Sequence, residues 1–344
     1  MLPISDNGRA PIAGAQGGVT AADGYGVFAT GASAGGDAAC ARACCAGKAA
    51  SGVAREPGGV SASADRAPMP AVLLHGFAQD ETAWDEVIVA LRAAGIEPVA
   101  ARIVAPTSGR SADAGCAVDA SSMDAACADT AALVRRAALR FGRPVLLAGY
   151  SMGGRIALET AAREDDLPLA GLVLESAGLG PADDAERAAY RRRNEAWARG
   201  LRARGVAAFM DEWEGLPLFA SQRALPDDVR RRVRARRLAH GLEELASLFE
   251  GVGAHRQMAR DEALAALARR MDAGLAVLYI HGALDAKYAA VARRLMRELP
   301  AARVVAIEGA GHDVHLEAPR AFAAAFADFV GRCADAAPPP CAQR

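Results

Sequence analysis

The stretch "GYSMGGR", residues 149–155, decides the fold class of this 344-residue chain. It follows the apolar run 144–148 and precedes a helix-like segment at 156–162. A strand, the pattern G-x-S-x-G and a helix, in that order, form a sharp turn that exposes a serine at the carboxyl edge of a parallel sheet. The stretch therefore predicts an α/β fold in which Ser151 carries out chemistry.

The surrounding sequence predicts a mostly parallel sheet with helices on both faces. From residue 69 onward, short apolar runs alternate with longer amphipathic stretches, which is the pattern of such folds. Buried strands are predicted at 71–74, 145–148, 171–174, 275–280 and 303–307. Helices are predicted at 84–94, 124–141 and 153–163.

The domain organisation follows from where this alternation holds and where it stops. Residues 67–181 and 271–333 carry the strands and are predicted to form the core. Residues 182–270 have a helical pattern without a convincing strand, so we expect a helical lid. Residues 1–66 are rich in Gly and Ala without a hydrophobic period, and residues 334–344 are rich in Pro. Both segments are expected to be disordered.

Composition and charge exclude several classes of protein. The 40 basic and 41 acidic residues nearly cancel, so no nucleic-acid partner is indicated. No apolar run approaches the roughly 20 residues of a spanning helix, and the N-terminus lacks a secretory pattern. We therefore expect no membrane insertion and a cytoplasmic location. The seven cysteines form no C-x-x-C pair and are interpreted as free thiols, so no metal site is predicted. The oligomeric state is not predicted.

Two residues that follow later strands complete a predicted catalytic triad with Ser151. Asp285 lies in "IHGALDAKY" and His312 in "EGAGHDVHLEAP", in the chain order serine, acid, histidine. Asp285 would orient His312, which would take a proton from Ser151. A loop-capping aspartate and a structural loop histidine are the alternatives. Asp313 is the competing acid, but adjacent residues rarely face each other; His315 is interpreted as structural.

An oxyanion hole needs two backbone N–H groups that point at one position. Met152, directly after the serine, is predicted to supply one of them. The other is expected from Phe77, on the loop "LLHGFAQD" after the first strand. His75 in this loop is interpreted as architectural.

Six stretches together resemble a known family. They are "LHGF" at 74–77, "GYSMGGR" at 149–155, "LVLESAGLG" at 172–180, "FMDEWEGLPLFASQ" at 209–222, "GALDAKY" at 282–288 and "GAGHDVHLEAP" at 309–319. Residues 69–332 resemble the α/β-hydrolase fold. Within that superfamily the chain is similar to the 2-succinyl-6-hydroxy-2,4-cyclohexadiene-1-carboxylate (SHCHC) synthases of menaquinone biosynthesis.

The resemblance implies a carbon–oxygen lyase rather than a hydrolase. Its substrate would be 2-succinyl-5-enolpyruvyl-6-hydroxy-3-cyclohexene-1-carboxylate, a small molecule with three carboxylates. The triad would assist removal of a ring proton, and pyruvate would leave as a ring diene forms. No cofactor is implied, because proton abstraction and elimination need only the triad and fixed positive charge.

The resemblance also implies which residues contact this substrate. They are Tyr150, Arg155, Trp213, Arg237 and Lys287. Arg155 can present a planar guanidinium to a carboxylate near the serine, although a surface arginine is the alternative. A further family arginine falls on Tyr190 in this chain, so Arg191 is expected to substitute for it. The segment 102–111 lacks the Asp and His of the family's usual turn.

Two other functions compete with the lyase. A hydrolase of small carboxylic esters or thioesters would use the same triad through an acyl-enzyme. A non-catalytic ligand-binding protein on the same fold is the other alternative, and the complete set of Ser, Asp and His argues against it.

Overall fold

The computed structural model describes residues 67–105 and 116–335 of the chain. The expected extension 1–66, most of the expected tail and most of the segment 102–111 lie outside the described residues. No helix within the described ranges is long and apolar enough to cross a membrane.

A seven-stranded sheet, parallel throughout, organises the described chain. Its strands are β1 (Met69–Leu74), β2 (Ile96–Val104), β3 (Ala117–Asp119), β4 (Val145–Tyr150), β5 (Leu169–Glu175), β6 (Ala276–Gly282) and β7 (Arg303–Ile307). Their order across the sheet is β3-β2-β1-β4-β5-β6-β7. The fold class predicted from the sequence is therefore confirmed.

The sequence missed β2 and β3. Glu97, Pro98 and Arg102 interrupt the apolar pattern of β2, and only part of this strand is buried. β3 has three residues, too few to show a period.

Helices cover the sheet. They are α1 (Asp85–Ala93), α2 (Met123–Phe141), α3 (Met152–Arg163), α4 (Asp184–Glu214), α5 (Asp227–Ala239), α6 (Leu242–Gly251), α7 (Arg260–Asp272), α8 (Ala286–Glu298), α9 (Val314–Glu317) and α10 (Pro319–Asp335). Because parallel crossovers are right-handed, α1, which leads from β1 to β2, lies on the face opposite to α3, which leads from β4 to β5. α10 packs against α1, whereas α2 packs against α3.

The hydrophobic core lies between the sheet and the helices α1 and α10, which cover the same face of it. β1 and β4 are buried along their whole lengths, and Trp84, Phe322 and Phe326 pack against them with at most 1% of each side chain exposed. Burial of each such ring contributes about 1.5–3 kcal/mol. This packing fixes the carboxyl ends of the central strands, where the candidate site lies.

The segment predicted as a lid contains α4, α5, α6 and α7 between β5 and β6. Two 3-10 helices, Pro217–Ala224 and Ala254–Arg256, also lie in it. Gly205 has a left-handed backbone (φ 79°) and bends α4. Helices α4 and α6 pack against each other.

Candidate active site

Ser151 lies at the turn between β4 and α3, with φ 48° and ψ −100°. A non-glycine residue in this region is strained by about 1–3 kcal/mol, so the surroundings must hold it. The Ser151 N–H donates to the Glu175 carbonyl (2.8 Å), and the Ser151 carbonyl accepts from the Arg155 N–H (3.1 Å). A Cβ at Gly153 would overlap the Leu74 carbonyl, so the turn requires glycine there.

The structure brings Ser151, His312 and Asp285 into one hydrogen-bonded chain. His312 Nε2 lies 3.1 Å from Ser151 Oγ, and its Nδ1 lies 2.9 Å from Asp285 Oδ2. A carboxylate at Nδ1 selects the tautomer whose Nδ1–H donates to it, which leaves Nε2 as acceptor for the serine hydroxyl. The chain can therefore move a proton from the hydroxyl to the imidazole.

The remaining oxygen of Asp285 and the competing acid, Asp313, have different partners. Asp285 Oδ1 accepts from the Tyr288 N–H (3.0 Å) and caps the start of α8. The Asp313 carboxylate accepts from Gln79 (2.8 Å) and pairs with His315 (3.2 Å). The geometry thus favours Asp285 over Asp313 as the partner of His312.

Aromatic rings surround the His312 imidazole. Ring centroids of Tyr288, Tyr150 and Phe219 lie 4.7, 5.2 and 5.9 Å from it. Burial raises the pKa of Tyr288 to about 12, and the pKa of Tyr150 is also raised by burial. Both phenols are therefore neutral at ordinary pH. These rings leave only 2% of the His312 side chain exposed to solvent.

The two predicted oxyanion donors follow neighbouring strands, Phe77 after β1 and Met152 after β4. Met152 is the first residue of α3, where a backbone N–H has no acceptor within the helix. The Phe77 N–H follows β1 and has no backbone acceptor among the described residues. A Cβ at Gly76 would lie 2.5 Å from the Tyr150 ring, so glycine lets this loop approach β4.

His75 belongs to the architecture of the same loop. Its Nδ1–H donates to the Gly76 carbonyl (2.8 Å), and its Nε2 accepts from the Ile103 N–H (2.9 Å). Burial lowers the pKa of His75 to about 4, so the ring is neutral.

Two of the predicted positive side chains lie beside Tyr288. Arg155 is half-buried and donates to the Val252 carbonyl (3.2 Å), and its charge acts to lower the pKa of Tyr288 against the larger effect of burial. Lys287 Nζ lies 4.9 Å from the centre of the Tyr288 ring. The same Tyr288 ring lies 4.7 Å from the His312 ring, measured between centroids.

Arg237 is buried and has acidic and amide partners that the sequence did not indicate. It donates to Glu214 (3.1 Å) and Gln222 (3.1 Å), and its guanidinium lies 5.4 Å from the centre of the Phe219 ring. The same Phe219 ring lies 5.9 Å from the His312 ring, measured between centroids.

A cavity of about 370 Å³ lies between the 3-10 helix Pro217–Ala224 and α5. Five arginines line it: Arg223, Arg230, Arg231, Arg234 and Arg237. Glu214 and Asp227 also line it and offset part of this charge. Phe219 lines the cavity as well and so forms a wall shared with the triad.

Comparison with known proteins assigns the family. The model of the alpha/beta hydrolase family matches residues 71–325. A 2-succinyl-6-hydroxy-2,4-cyclohexadiene-1-carboxylate synthase of Escherichia coli O139:H28 is 30% identical over 260 residues, which cover 75% of this chain and 92% of that protein. The chain belongs to the SHCHC synthase family of α/β hydrolases. The resemblance predicted from the six stretches is thus confirmed.

One further relative and one solved structure extend the comparison. A Bacillus subtilis (strain 168) protein, provisionally named as the same synthase, is 34% identical over 186 residues, which cover 54% of this chain and 65% of that protein. The structure of MenH from S. aureus superposes with a TM-score of 0.68 at 24% identity, over 77% of this chain and 94% of the other. At that identity the superposition supports the shared fold.

In this member of the SHCHC synthase family, Trp213 lies in an aromatic cluster beside the predicted oxyanion loop. Its ring centroid is 4.9 Å from that of Phe77 and 5.7 Å from that of Phe219. The other members of the cluster are Trp197, Phe209 and Phe249. Trp213 is buried within this cluster.

Of the arginines that follow Tyr190, Arg193 is more buried than Arg191. Arg191 is exposed, whereas Arg193 is half-buried, 4.9 Å from the Tyr190 ring centre and 4.8 Å from that of Trp197. Like Arg155, Arg193 acts to lower the pKa of Tyr288. Tyr190, Arg193 and Trp197 follow the spacing of one helix face, a signal that could have identified Arg193.

Glu175, Asp313 and His315 are the group of described residues whose arrangement could hold a metal ion. Their atoms, however, already bond to one another: His315 Nδ1 lies 2.8 Å from Glu175 Oε2 and 3.2 Å from Asp313 Oδ1. Direct ion pairing explains the cluster.

Proposed function

We propose that this chain is an SHCHC synthase of menaquinone biosynthesis, which eliminates pyruvate from 2-succinyl-5-enolpyruvyl-6-hydroxy-3-cyclohexene-1-carboxylate. The observation that carries the proposal is a Ser–His–Asp chain with cationic side chains at its edge. His312 Nε2 lies 3.1 Å from Ser151 Oγ, and Arg155 and Lys287 lie beside the Tyr288 ring that packs on His312. An uncharged ester substrate would not require cationic side chains at this position.

In the proposed reaction, Ser151 Oγ removes a ring proton while its own proton passes to His312. The C–H electrons form the new ring double bond and the C–O bond to the enolpyruvyl group breaks. The released enolpyruvate takes up a proton to become pyruvate, and loss of the proton from His312 restores the neutral imidazole. Asp285, 2.9 Å from His312 Nδ1, stabilises the imidazolium. No acyl-enzyme forms.

Negative charge that develops on the substrate would meet the Phe77 and Met152 N–H groups. Arg155, Lys287 and Arg237 would bind the substrate carboxylates, with Tyr150 and Trp213 as walls. Each charge-assisted contact is worth about 1.5–3 kcal/mol. The arginine-lined cavity beyond Phe219 supports an anionic substrate.

In this proposal Arg193, rather than Arg191, is the further arginine that binds a substrate carboxylate. Its Nε is buried without a hydrogen-bond partner among the described residues, and its ring neighbours hold the guanidinium in place. An arriving carboxylate would give this group an acceptor. The substrate is thus a small polycarboxylate, and the proposed location is the cytoplasm.

The test is pyruvate release from freshly prepared substrate, corrected by an enzyme-free blank. Arg155→Ala is compared with wild type and with Arg192→Ala, an exposed arginine on α4. We expect enzyme-dependent release that falls about 10- to 100-fold in Arg155→Ala and is unchanged in the control. Release at the blank rate together with rapid cleavage of p-nitrophenyl acetate would instead favour the hydrolase.

A further inference from the structure

A buried ionic cluster lies behind the triad. It consists of Glu175 at the end of β5, and of Asp313 and His315 around the start of α9; each is at most 1% exposed. Glu175 accepts from the His315 N–H (2.9 Å) and from Nδ1 (2.8 and 3.0 Å), and Asp313 pairs with the same Nδ1 (3.2 Å). Buried charges of this kind persist only when they are paired.

The imidazole of this cluster is a cation at neutral pH. Burial alone would lower the pKa of His315, but Asp313 and Glu175 outweigh it and raise that pKa to about 9. The Trp84 ring stacks on the imidazole at 4.2 Å between centroids. One cation between two carboxylates leaves a net negative charge, which favours a further hydrogen-bond donor.

Gln79 supplies that donor and connects the cluster to the oxyanion loop. Its Nε2 donates to Asp313 Oδ2 (2.8 Å), and its Oε1 accepts from the Gly76 N–H (2.8 Å). The carboxylate dictates which end of the amide faces which partner, because it can only accept. Gly76 directly precedes Phe77, whose N–H is the proposed oxyanion donor.

The cluster also contacts the nucleophile turn, which carries Ser151, and the loop that carries His312. The Glu175 carbonyl accepts from the Ser151 N–H (2.8 Å), and Asp313 directly follows His312. Glu317 accepts from the Gly311 N–H (2.7 Å) and the Asp313 N–H (3.2 Å) on both sides of His312. One buried cluster therefore joins the nucleophile turn, the histidine loop and the oxyanion loop.

We propose that Glu175, Asp313 and His315 form a positioning cluster that, through Gln79, holds the Gly76 N–H and thereby positions the next residue, Phe77, whose N–H can stabilise an oxyanion. These residues do not touch the substrate; they act through the loop. The role in pyruvate elimination rests on the proposed function, but the geometry of the oxyanion hole does not.

The test measures phosphonylation of Ser151 by an uncharged fluorophosphonate, because its transition state also places negative charge in the oxyanion hole. Gln79→Leu removes both amide contacts and leaves the cluster residues in place. Gln79→Glu keeps an acceptor for Gly76 but loses the donor to Asp313. Asp80→Ala is the matched control, since Asp80 caps the 3-10 helix Glu81–Trp84 of the same loop without bonding Gly76.

We expect Gln79→Leu to slow phosphonylation by about tenfold or more, Gln79→Glu to slow it as well, and Asp80→Ala to change it by less than about twofold. In pyruvate release, kcat should fall while KM stays within about twofold. Gln79 variants that react as fast as wild type, or no slower than Asp80→Ala, would overturn the proposal. Slower phosphonylation in a protein that releases no pyruvate would support the positioning cluster and refute the synthase function.

Discussion

Raising the pH from about 6.5 to about 9.5 should remove stability by deprotonating His315. Asp313 and Glu175 raise the pKa of His315 from 6.5 to about 9 despite its burial, and Glu317 acts in the same direction. The pKa difference of about 2.5, at about 1.4 kcal/mol for each unit, corresponds to about 3–4 kcal/mol in full, of which about 3 kcal/mol is lost between these two pH values. Because the folded state binds this proton more tightly, the stabilisation is complete below pH 6.5, declines above it and is lost once pH exceeds about 9.

The assay is urea unfolding at constant ionic strength across this pH range, with wild type and His315→Gln compared at each pH. The variant keeps a donor near Glu175 but cannot titrate. We expect the wild type to lose about 3 kcal/mol more than the variant between the two ends of the range. Equal pH dependence in the two proteins would refute the assignment of a buried imidazolium to His315.

Three further substitutions test the triad acid, the arginines of α4 and the oxyanion loop. Asp285→Asn should lower kcat of pyruvate release by about 10³- to 10⁴-fold with KM little changed, because the imidazole then adopts the wrong tautomer; a loss under tenfold would contradict this role. Arg193→Ala should lower kcat/KM by about 10- to 100-fold and Arg191→Ala by less than about twofold, in steady-state assays; the reverse order would restore the expectation from sequence. Gly76→Ala should reduce both thermal stability and activity, because its Cβ would overlap the Tyr150 ring, and an unchanged melting temperature would show that the loop can shift.

The strand ends and the hydrogen-bonded triad could be predicted because they leave local signals. Ser151, Asp285 and His312 each follow an apolar run, and parallel strands bring their carboxyl ends to one edge of the sheet. β2 left no such signal, since a partly exposed strand tolerates Pro98 and Glu97 within its pattern.

The site features that the sequence did not reveal depend on which side of a helix a residue occupies and on contacts between segments far apart in the chain. Arg191 and Arg193 look equivalent in the sequence, and only the turn of α4 exposes the first and half-buries the second. The link from Asp313 to Gln79 spans 234 residues, so no local pattern could indicate it. The carboxylate partner of His315 on β5, Glu175, lies 140 residues away in the sequence and could not be identified from it.

Direct participation of the Ser151 oxygen is tested by the initial rate of pyruvate release from Ser151→Ala, measured beside wild type and an enzyme-free blank. If the Ser151 oxygen removes the ring proton, the variant should release pyruvate at close to the blank rate while remaining folded. Nearly normal turnover by Ser151→Ala would contradict the account and would leave His312 as the base.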